Sequence, residues 1–552
     1  QPVSAADEGL ARLDQANALL AQGRQLEAVQ LLFEAVAARP RDPRMRFSLA
    51  GALEGFPLES AGAAVREILL DLCRDENIAT QCLADAVIGL AKSNPMFPRL
   101  LEACIAGTDV LAARASEVAA LTRDPLLLAV LSGAVANDAE LERVLAHIRR
   151  CMLLRADIET VAFDFACALA RQCFNTEYAM FAADEETQAL QRLRQQEFSR
   201  DEKRLVLAAL YGPLNRLPHW ERMLQWIPES LSDAFRPIWQ AQVVQYHQER
   251  EIAARIESLT PITAAVSQAV RGLYEENPYP RWLTLLRPQA RALAEVVPAV
   301  AARARAGGRG SILIAGGGTG QHPIHTALTF PDSDVLTLDL SRASLAYAAR
   351  MAERFGVKNL AFAQADILEL ASWEKRFDLI ESLGVLHHMK DPLAGWRVLT
   401  GLLRDGGVMR IGLYSTIARR PLQAAREFAR QSGFHATPEG IRQCRRAILD
   451  LPAQHPARAV LASDDFYSLS GCRDLIMHIQ ERSFTLPQIG NCLRKLGLRL
   501  LGLHCPPEVT AAFRADHPDP TALTDLSLWD RFEQRHPDVF RGMYQFSCSR
   551  RS

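Results

Sequence analysis

The sequence predicts an all-helical N-terminal half followed by an α/β domain built on a doubly wound, mostly parallel sheet. Residues 60–256 alternate apolar helical stretches with short polar turns and show almost no strand pattern. From about residue 270, short apolar runs alternate with helical stretches, which is typical of βαβ units. The chain has 552 residues, too many for one core, so we expect several domains.

Charge, hydropathy and cysteine usage exclude several classes of function and partner. The net charge is −1, so no global field attracts nucleic acid. No apolar run reaches the roughly 18 residues of a membrane span. The 11 cysteines are scattered and form no CxxC pair, which is typical of reduced thiols. We therefore expect a cytoplasmic protein with no nucleic-acid partner, no membrane partner and no metal site.

The first 40 residues fit a helix hairpin of tetratricopeptide type. Small residues in such a hairpin let two helices approach, and Pro40 ends the second helix. The residues in register are Ala16, Leu19, Ala28, Leu32 and Ala35. A weaker copy begins near Pro43, and more helices must follow because one repeat cannot bury its own face. We assign residues 1–75 to tetratricopeptide-like repeats and 76–265 to an α-helical domain.

Seven short runs in the second half predict the strands of the α/β domain. They are 311–315, 335–338, 359–363, 377–382, 408–414, 498–504 and 543–549. About 80 residues between the fifth and sixth runs look helical and irregular. We assign 266–552 to the α/β domain, with a helical insertion at 421–495 that serves as a lid.

The stretch SILIAGGGTGQHPI (311–324) places glycines directly after the first predicted strand. Glycine adopts positive φ and lets a backbone approach a ligand closely, and a helix N-terminus follows here. The spacing is not that of a dinucleotide loop, and no Gly-Lys-Ser/Thr follows. The stretch therefore predicts a nucleoside ligand without saying which. The predicted contact residues are Gly316, Gly317, Gly318, Gly320 and Gln321.

Carboxylates at the ends of the next two strands identify the ligand. Asp339 can accept hydrogen bonds from both ribose hydroxyls, and Asp366 can accept one from the adenine amine. Their neighbours Leu340 and Ile367 complete the predicted contacts. No basic phosphate clamp occurs in the loops. A ligand with adenine and ribose but no phosphate is S-adenosyl-L-methionine.

Taken together, these stretches resemble the class I S-adenosylmethionine-dependent methyltransferases. IAGGGTG, the acid at 339, QADI and GVLHHM follow one another in that family's order. The resemblance implies a Rossmann-like domain with a seven-stranded sheet and S-adenosyl-L-methionine as cofactor. One position departs from the pattern. Ile314 stands where the family often has an acid for the methionine amino group, so another element must hold that group.

Other stretches resemble a narrower group, bacterial methyltransferases with an N-terminal tetratricopeptide-like helical region. They are 168–181, 274–282, 464–489 and 542–546. The group fixes the chemistry class but not the acceptor, which is a nucleophilic oxygen, nitrogen or sulfur. The helical repeats suggest a protein or peptide partner, although they could equally stabilise the lid or a homodimer.

The candidate catalytic residues follow the fourth and fifth strands or lie in the insertion. They are Glu381, His387, His388, Tyr414, Arg473 and His478. A histidine beyond the fourth strand could take a proton from the acceptor, whereas core packing is the competing interpretation for both histidines there. The stretch 464–481 combines polar groups with aromatics, which favours an acceptor pocket over a solvated helix face.

Tyr279 and Arg281 belong to the proline-rich stretch YEENPYPRW. We expect this stretch to fold across the cofactor, with Arg281 pairing its carboxylate and Tyr279 screening the methionine end. A rigid turn between domains is the competing interpretation. We also expect 274–282 and 464–481 to meet over one pocket, because ligands of open α/β sheets bind beyond the carboxyl ends of the strands.

Three alternatives to this function stay open. The fold could be an inactive scaffold, which Ile314 favours and the intact glycine loop opposes. The acceptor could be a small natural product or a sugar. A nucleic-acid substrate is opposed by the near-neutral charge and by the lack of a basic stripe.

Asp339→Ala should weaken cofactor binding by on the order of 1.5–3 kcal/mol, because the carboxylate accepts two ribose hydrogen bonds. Isothermal calorimetry with S-adenosylmethionine measures this effect. Wild-type affinity in the variant would remove Asp339 from the cofactor site.

Overall fold

The computed structural model describes residues 5–195, 200–263, 267–268, 271–272, 281–478 and 481–551. Tyr279 lies outside these described residues. The chain divides into two compact units. The helical unit comprises Gln1–His247, Trp282–Leu286 and Ala425–Met477. The sheet unit comprises Gln248–Arg281, Arg287–Ala424 and His478–Ser552.

The N-terminal half is helical throughout its described residues, as predicted. Its α-helices are Ala5–Ala21, Gln25–Ala38, Pro43–Leu53, Ala63–Arg74, Ala84–Lys92, Phe97–Ile105, Val110–Ala113, Ala115–Thr122, Pro125–Gly133, Ala139–Arg155, Phe163–Asn175, Asp184–Gln195, Glu202–Ala209, Arg236–Trp239 and Gln245–Arg255. None of the helices described in this chain is both long and apolar enough to cross a membrane.

The first two helices form the hairpin that the small-residue spacing predicts. Four of the residues in register are completely buried: Ala16, Ala28, Leu32 and Ala35. The second helix ends at Ala38, two residues before Pro40. The helix Pro43–Leu53 follows, with Asp42 accepting a hydrogen bond from Arg44 N at its start. The hairpin is thus present, while its assignment to the tetratricopeptide class stays a prediction.

Residues 425–477 fold with the helical unit, whereas the sequence assigned 421–495 to the α/β domain. The α-helices of this region are Arg420–Gln431, Pro438–Leu449 and Leu469–Met477. The buried guanidinium of Arg445 donates to both oxygens of buried Glu142, at 3.0 and 2.7 Å. It also donates to the carbonyls of Ala179 and Phe466. A fully hydrogen-bonded ion pair therefore joins the insertion to the N-terminal helices.

A strained turn in the helical unit makes a second attachment. Glu177 and Tyr178 both have positive φ, 55° and 59°, which costs roughly 1–3 kcal/mol per residue. The Glu177 carboxylate accepts from the backbone N and the hydroxyl of Ser470, at 2.7 and 2.6 Å. Leu469 N donates to the carbonyl of Thr176. These bonds hold the start of helix Leu469–Met477 and offset the strain.

The sheet unit contains seven strands, which confirms the predicted fold class. They are β1 Gly310–Ala315, β2 Ser333–Asp339, β3 Leu360–Gln364, β4 Phe377–Leu383, β5 Leu403–Leu413, β6 Leu498–Leu503 and β7 Tyr544–Arg550. Their order is β3-β2-β1-β4-β5-β7-β6. Strands β1 to β5 pair in parallel, and β7 pairs antiparallel with β5 and β6.

Apolar side chains alternate between the two faces of the sheet and build a core on each. Ile312 and Ile314 of β1 belong to one core, and Leu313 and Ala315 belong to the other. The α-helices of this unit are Ala301–Arg305, Gln321–Thr329, Arg342–Arg354, Pro392–Leu402, Leu486–Lys495, Pro507–Asp516 and Leu526–Arg535. Because the strand order reverses between β1 and β4, their carboxyl ends open a crevice where ligands of such sheets bind.

Arg445→Ala should destabilise the helical unit by about 3–5 kcal/mol, because it leaves the Glu142 carboxylate buried without its counterion. Thermal unfolding of the full chain measures the loss. Arg446→Ala is the matched control, since the neighbouring Arg446 forms an exposed pair with Asp450 that should contribute less than about 1 kcal/mol. Equal stability of the two variants would contradict the prediction.

Candidate functional site

The glycine turn lies at the carboxyl end of β1. The backbone N–H groups of Gly316 and Gly317 both donate to the carbonyl of Leu338, at 2.8 and 2.9 Å. Gly316 has φ +88°, and a Cβ atom there would overlap the side chain of Val385. The turn is therefore closed against β2 and accepts only glycine at this position.

The rest of the turn leads into a helix N-terminus. Gly318 and Gly320 have φ +51° and +89°. Gly320 is the N-cap of helix Gln321–Thr329, whose exposed first residue is Gln321. A Cβ atom on Gly320 would overlap Ala348. The predicted strand, glycine turn and helix are all present.

Asp339 ends β2 and ties two neighbouring turns together. Its Oδ2 accepts from the backbone N of Gly318 at 2.8 Å, and its Oδ1 accepts from the backbone N of Ser341 at 3.0 Å. The next residue, Leu340, is half-buried, and its carbonyl accepts from Gln364 Nε2. The carboxylate therefore lies beside the glycine turn, at the carboxyl edge of the sheet.

Asp366 follows β3 and is buried, with 2% of its surface exposed. Its Oδ1 accepts from Leu368 N at 3.0 Å, and its own backbone N donates to Thr260 Oγ1 at 2.9 Å. Its Oδ2 is also buried and accepts no hydrogen bond from any described residue. Ile367 beside it is buried. One carboxylate oxygen at this edge is thus left without a donor.

Thr260 is a site residue that sequence reasoning missed. Residues 257–259 run along the free edge of β3, where Gln364 N donates to Glu257 O and Leu259 N donates to Gln364 O. This added edge brings the Thr260 hydroxyl to Asp366. More than 100 residues separate the two positions, and no motif marks Thr260.

Arg281 lies against the sheet unit at helix Arg342–Arg354. Its guanidinium carbon is 5.3 Å from the ring centroid of Tyr347, which is completely buried. Arg350 contacts the same ring at 5.0 Å and pairs with Glu249 at 2.7 Å. The predicted contact of Arg281 with a cofactor carboxylate stays a prediction.

Glu381 lies within β4 in a buried ion-pair network. Its carboxylate accepts from Thr326 Oγ1 at 2.9 Å and from Arg410 Nη1 at 3.2 Å, and lies 2.8 Å from His322 Nε2. Burial opposes ionisation, but His322, Arg410 and Thr326 outweigh it and lower the pKa of Glu381 to about 2. These contacts fully account for a structural role, and its predicted catalytic role stays a prediction.

Aromatic and imidazole rings form a cluster beyond β4 and β5. The His387 ring is buried and lies 3.9 Å from the ring of Tyr414 and 4.3 Å from that of His388, centroid to centroid. His388 stacks on His478 at 4.0 Å. Four of the six predicted catalytic residues therefore contact one another at the carboxyl edge of the sheet.

The protonation of His387 follows from this environment. Burial is the main influence, and the neighbouring His388 ring and the Arg419 guanidinium add to it, so the pKa of His387 lies well below its usual value. The imidazole is neutral at pH 7 and can accept a proton.

A short strap fixes the cluster. Arg482 N donates to the carbonyl of His387 at 2.9 Å, and Phe484 N donates to the carbonyl of Tyr414 at 2.8 Å. Thr416 N donates back to Phe484 O at 2.9 Å. Residues 482–484 thus join the turns that follow β4 and β5.

Two charged residues complete the cluster: Arg419, which was not predicted, and Glu481, which belongs to the predicted pocket stretch 464–481. The guanidinium carbon of Arg419 lies 3.5 Å from the Tyr414 ring centroid, and its Nη2 is 3.9 Å from Glu481 Oε2. Their side chains are 12% and 5% exposed. Adjacent arginines in the sequence suggested solvated surface, so only the fold reveals that Arg419 is buried.

A hydrogen-bonded triad supports the turn after Tyr414. Ser415 Oγ and Tyr544 OH both donate to the buried carboxylate of Glu533. Burial raises the pKa of Glu533. Ser415 Oγ accepts from Ile417 N and Ala418 N in return. The triad holds the chain where it leaves β5.

Arg473 lies in helix Leu469–Met477 of the helical unit and is buried. The helix ends at Met477, so it includes Arg473 and Asp474 but not His478 or Glu481. The predicted role of Arg473 at the acceptor pocket stays a prediction.

Residues 310–433 match a protein family described as a methyltransferase domain. An uncharacterised protein of Synechococcus sp. is 28% identical over 272 residues, 45% of this chain and 63% of that protein. The chain thus matches less than two thirds of that relative's length.

Two solved structures are similar to part of this chain. PKMT2 from Rickettsia typhi in complex with AdoHcy is 18% identical over 44% of this chain and 48% of its own, with a TM-score of 0.33. Magnesium protoporphyrin IX methyltransferase from Synechocystis PCC 6803 with bound SAM is 13% identical over 53% of this chain and 100% of its own, with a TM-score of 0.27.

Comparison of wild type with Glu381→Gln should show that part of the unfolding free energy depends on pH. The folded pKa lies below the ordinary value of 4.5, so the carboxylate stabilises the fold fully above pH 4.5 and loses this effect as the pH falls towards 2. The difference in unfolding free energy between wild type and variant should shrink by about 3 kcal/mol over that window. Denaturant unfolding between neutral pH and pH 3 should show about 2 kcal/mol of this decline, and Glu374→Gln on the surface should show none. A constant difference would contradict the prediction.

Proposed function

We propose that the protein transfers a methyl group from S-adenosyl-L-methionine to a nucleophilic oxygen, nitrogen or sulfur atom, because residues 310–433 match a family described as a methyltransferase domain. One observation supports this most strongly. The carboxylates of Asp339 and Asp366 stand at the ends of the neighbouring strands β2 and β3, beside the glycine turn.

The buried Oδ2 of Asp366 tests whether the site fits this cofactor. A buried acceptor that lacks a donor costs about 1–3 kcal/mol. An exocyclic adenine amine is a donor that would remove this cost. Asp339 accepts from backbone N–H groups through both oxygens and lies beside the glycine turn, where its carboxylate suits the ribose hydroxyls. The residues present therefore fit an adenosine group.

The bound cofactor supplies an electrophilic methyl group on a sulfonium. The chain would hold the adenosine part with Asp339, Asp366 and the glycine turn. Helix Gln321–Thr329 directs its N-terminal N–H groups to the same edge, where they suit a carboxylate. We place Arg281 at the methionine carboxylate as part of this proposal.

The acceptor would lie at the ring cluster beyond β4 and β5. Methyl transfer depends mainly on alignment of the nucleophile with the methyl group. His387 is the ring we place as the base for a nucleophile that must lose a proton; it is neutral, and its lowered pKa makes it a weak base until the acceptor is bound. Its backbone is fixed by the strap 482–484, which favours a single ring position.

Whether the acceptor is a macromolecule or a small molecule is a further part of the proposal. A protein or peptide bound by the helical unit is our preferred acceptor, on the basis of the helix hairpin at the N-terminus. A small natural product or a sugar is the alternative. The buried Oδ2 of Asp366 accepts no hydrogen bond from any described residue. This argues against an inactive scaffold, since a protein that binds no cofactor would carry the cost of that atom without a benefit.

Asp366→Asn should lower the affinity for S-adenosylmethionine about tenfold, because it removes a charged acceptor for the adenine amine. Calorimetry measures the affinity. Asp391→Asn is the matched control: Asp391 caps helix Pro392–Leu402 through Leu393 N and Ala394 N, as Asp366 caps residues 367–370. If both variants bind like wild type, Asp366 does not contact the cofactor.

A further inference from the structure

We propose that Arg419 binds an oxyanion, a carboxylate or phosphate group, that the methyl acceptor carries. This inference rests on the proposed function and names the chemical class of its acceptor. It concerns recognition of the acceptor and includes no covalent step.

The geometry leaves the donating edge of Arg419 available. Its guanidinium carbon lies 3.5 Å from the Tyr414 ring centroid, so the aromatic ring covers one face of the group. The five N–H groups of a guanidinium point outward in its plane, at right angles to that contact. Stacking on Tyr414 therefore orients the fork without using any of its hydrogen bonds.

Within the described part of the chain, this fork is poorly satisfied. The Nε of Arg419 is buried and donates to no acceptor. The carboxylate of Glu481 is 3.9 Å from Nη2, beyond hydrogen-bond distance. The whole Arg419 side chain is only 12% exposed, so it has lost much of its contact with water as well. Leaving a buried charge with so few partners is costly unless a ligand supplies them.

Arg445 shows what a structural arginine looks like in this protein. It is buried more deeply than Arg419, with 1% of its side chain exposed, and it makes four hydrogen bonds, two to Glu142 and two to backbone carbonyls. The contrast separates the two roles. Arg445 is satisfied by the fold, whereas Arg419 keeps donors for a group that the fold does not provide.

The position of Arg419 suits an acceptor-binding role. Tyr414 directly follows β5, and its carbonyl is fixed by Phe484 N of the strap. The His387 ring lies against the same Tyr414 ring at 3.9 Å. An oxyanion on Arg419 would therefore sit beside the neutral imidazole, at the edge where the methyl group is expected. The fork also matches the planar geometry of a carboxylate or two oxygens of a phosphate.

Three aromatic probes of similar size test the proposal. Benzoate and phenyl phosphate carry the two candidate oxyanions, and benzamide is a neutral analogue of benzoate. Their affinities are measured by ligand-observed NMR on the full chain with saturating S-adenosylhomocysteine. The proteins are wild type, Arg419→Gln and, as matched control, Arg420→Gln, because Arg420 is the exposed neighbour outside the ring cluster.

We expect wild type to bind benzoate or phenyl phosphate at least about tenfold more tightly than benzamide. This preference should vanish in Arg419→Gln and persist in Arg420→Gln. The anion with the larger preference identifies carboxylate or phosphate. Equal binding of all three probes by wild type, or a preference that survives in Arg419→Gln, would overturn the proposal.

Two further measurements keep the result interpretable. Calorimetry with S-adenosylhomocysteine tests the proposed function separately, since its failure in wild type would remove the cofactor site while the probe comparison still reports on Arg419. If Arg419→Gln does not fold, Arg419→Lys replaces it. Lysine keeps the positive charge but lacks the planar fork of donors. The affinity for benzoate should therefore fall about threefold or more, while the affinity for benzamide should not change. Unchanged benzoate binding in Arg419→Lys would contradict the proposal.

Discussion

The two hydrogen bonds from Gly316 and Gly317 to the Leu338 carbonyl fix the geometry on which the candidate site depends. They turn the chain sharply at the end of β1 and press it against β2. The third bond, from Gly318 N to Asp339, places a carboxylate beside the turn. Side chains cannot occupy these positions, because a Cβ atom on Gly317 would overlap Thr337. The start of helix Gln321–Thr329 and the ligand edge of the sheet both follow from this turn.

Some buried polar groups in the sheet unit have partners within the fold, and others keep an atom without one in the described part of the chain. Glu381 is matched by three partners and stays ionised, so it stabilises the sheet. Asp366 and Arg419 keep buried polar atoms without partners among the described residues. Both stand at the carboxyl edge, and their charges are opposite. The edge thus offers an acceptor on the β3 side and donors on the β5 side, which suits two different ligand groups.

Local patterns were sufficient for the strands and for the glycine turn. Apolar runs such as 311–315 are buried on both faces, so their pattern is strong and their limits are off by only a residue or two for most strands. Contacts between residues that are far apart along the chain leave no such pattern in the sequence. Thr260 reaches Asp366 across 106 positions, and Arg445 reaches Glu142 across 303. Both Arg419 and Arg445 resemble surface arginines until the fold supplies their surroundings.

The helical unit contains residues from the C-terminal half of the chain as well as from the N-terminal half. Residues 425–477 belong to it, although the residues on either side belong to the sheet unit. Their attachments are specific, with Arg445 on Glu142 and Ser470 on Glu177. Without the N-terminal helices, the Arg445 guanidinium would lose three of its four hydrogen bonds, those to Glu142 and Ala179. The stability of that segment is therefore coupled to the N-terminal helices.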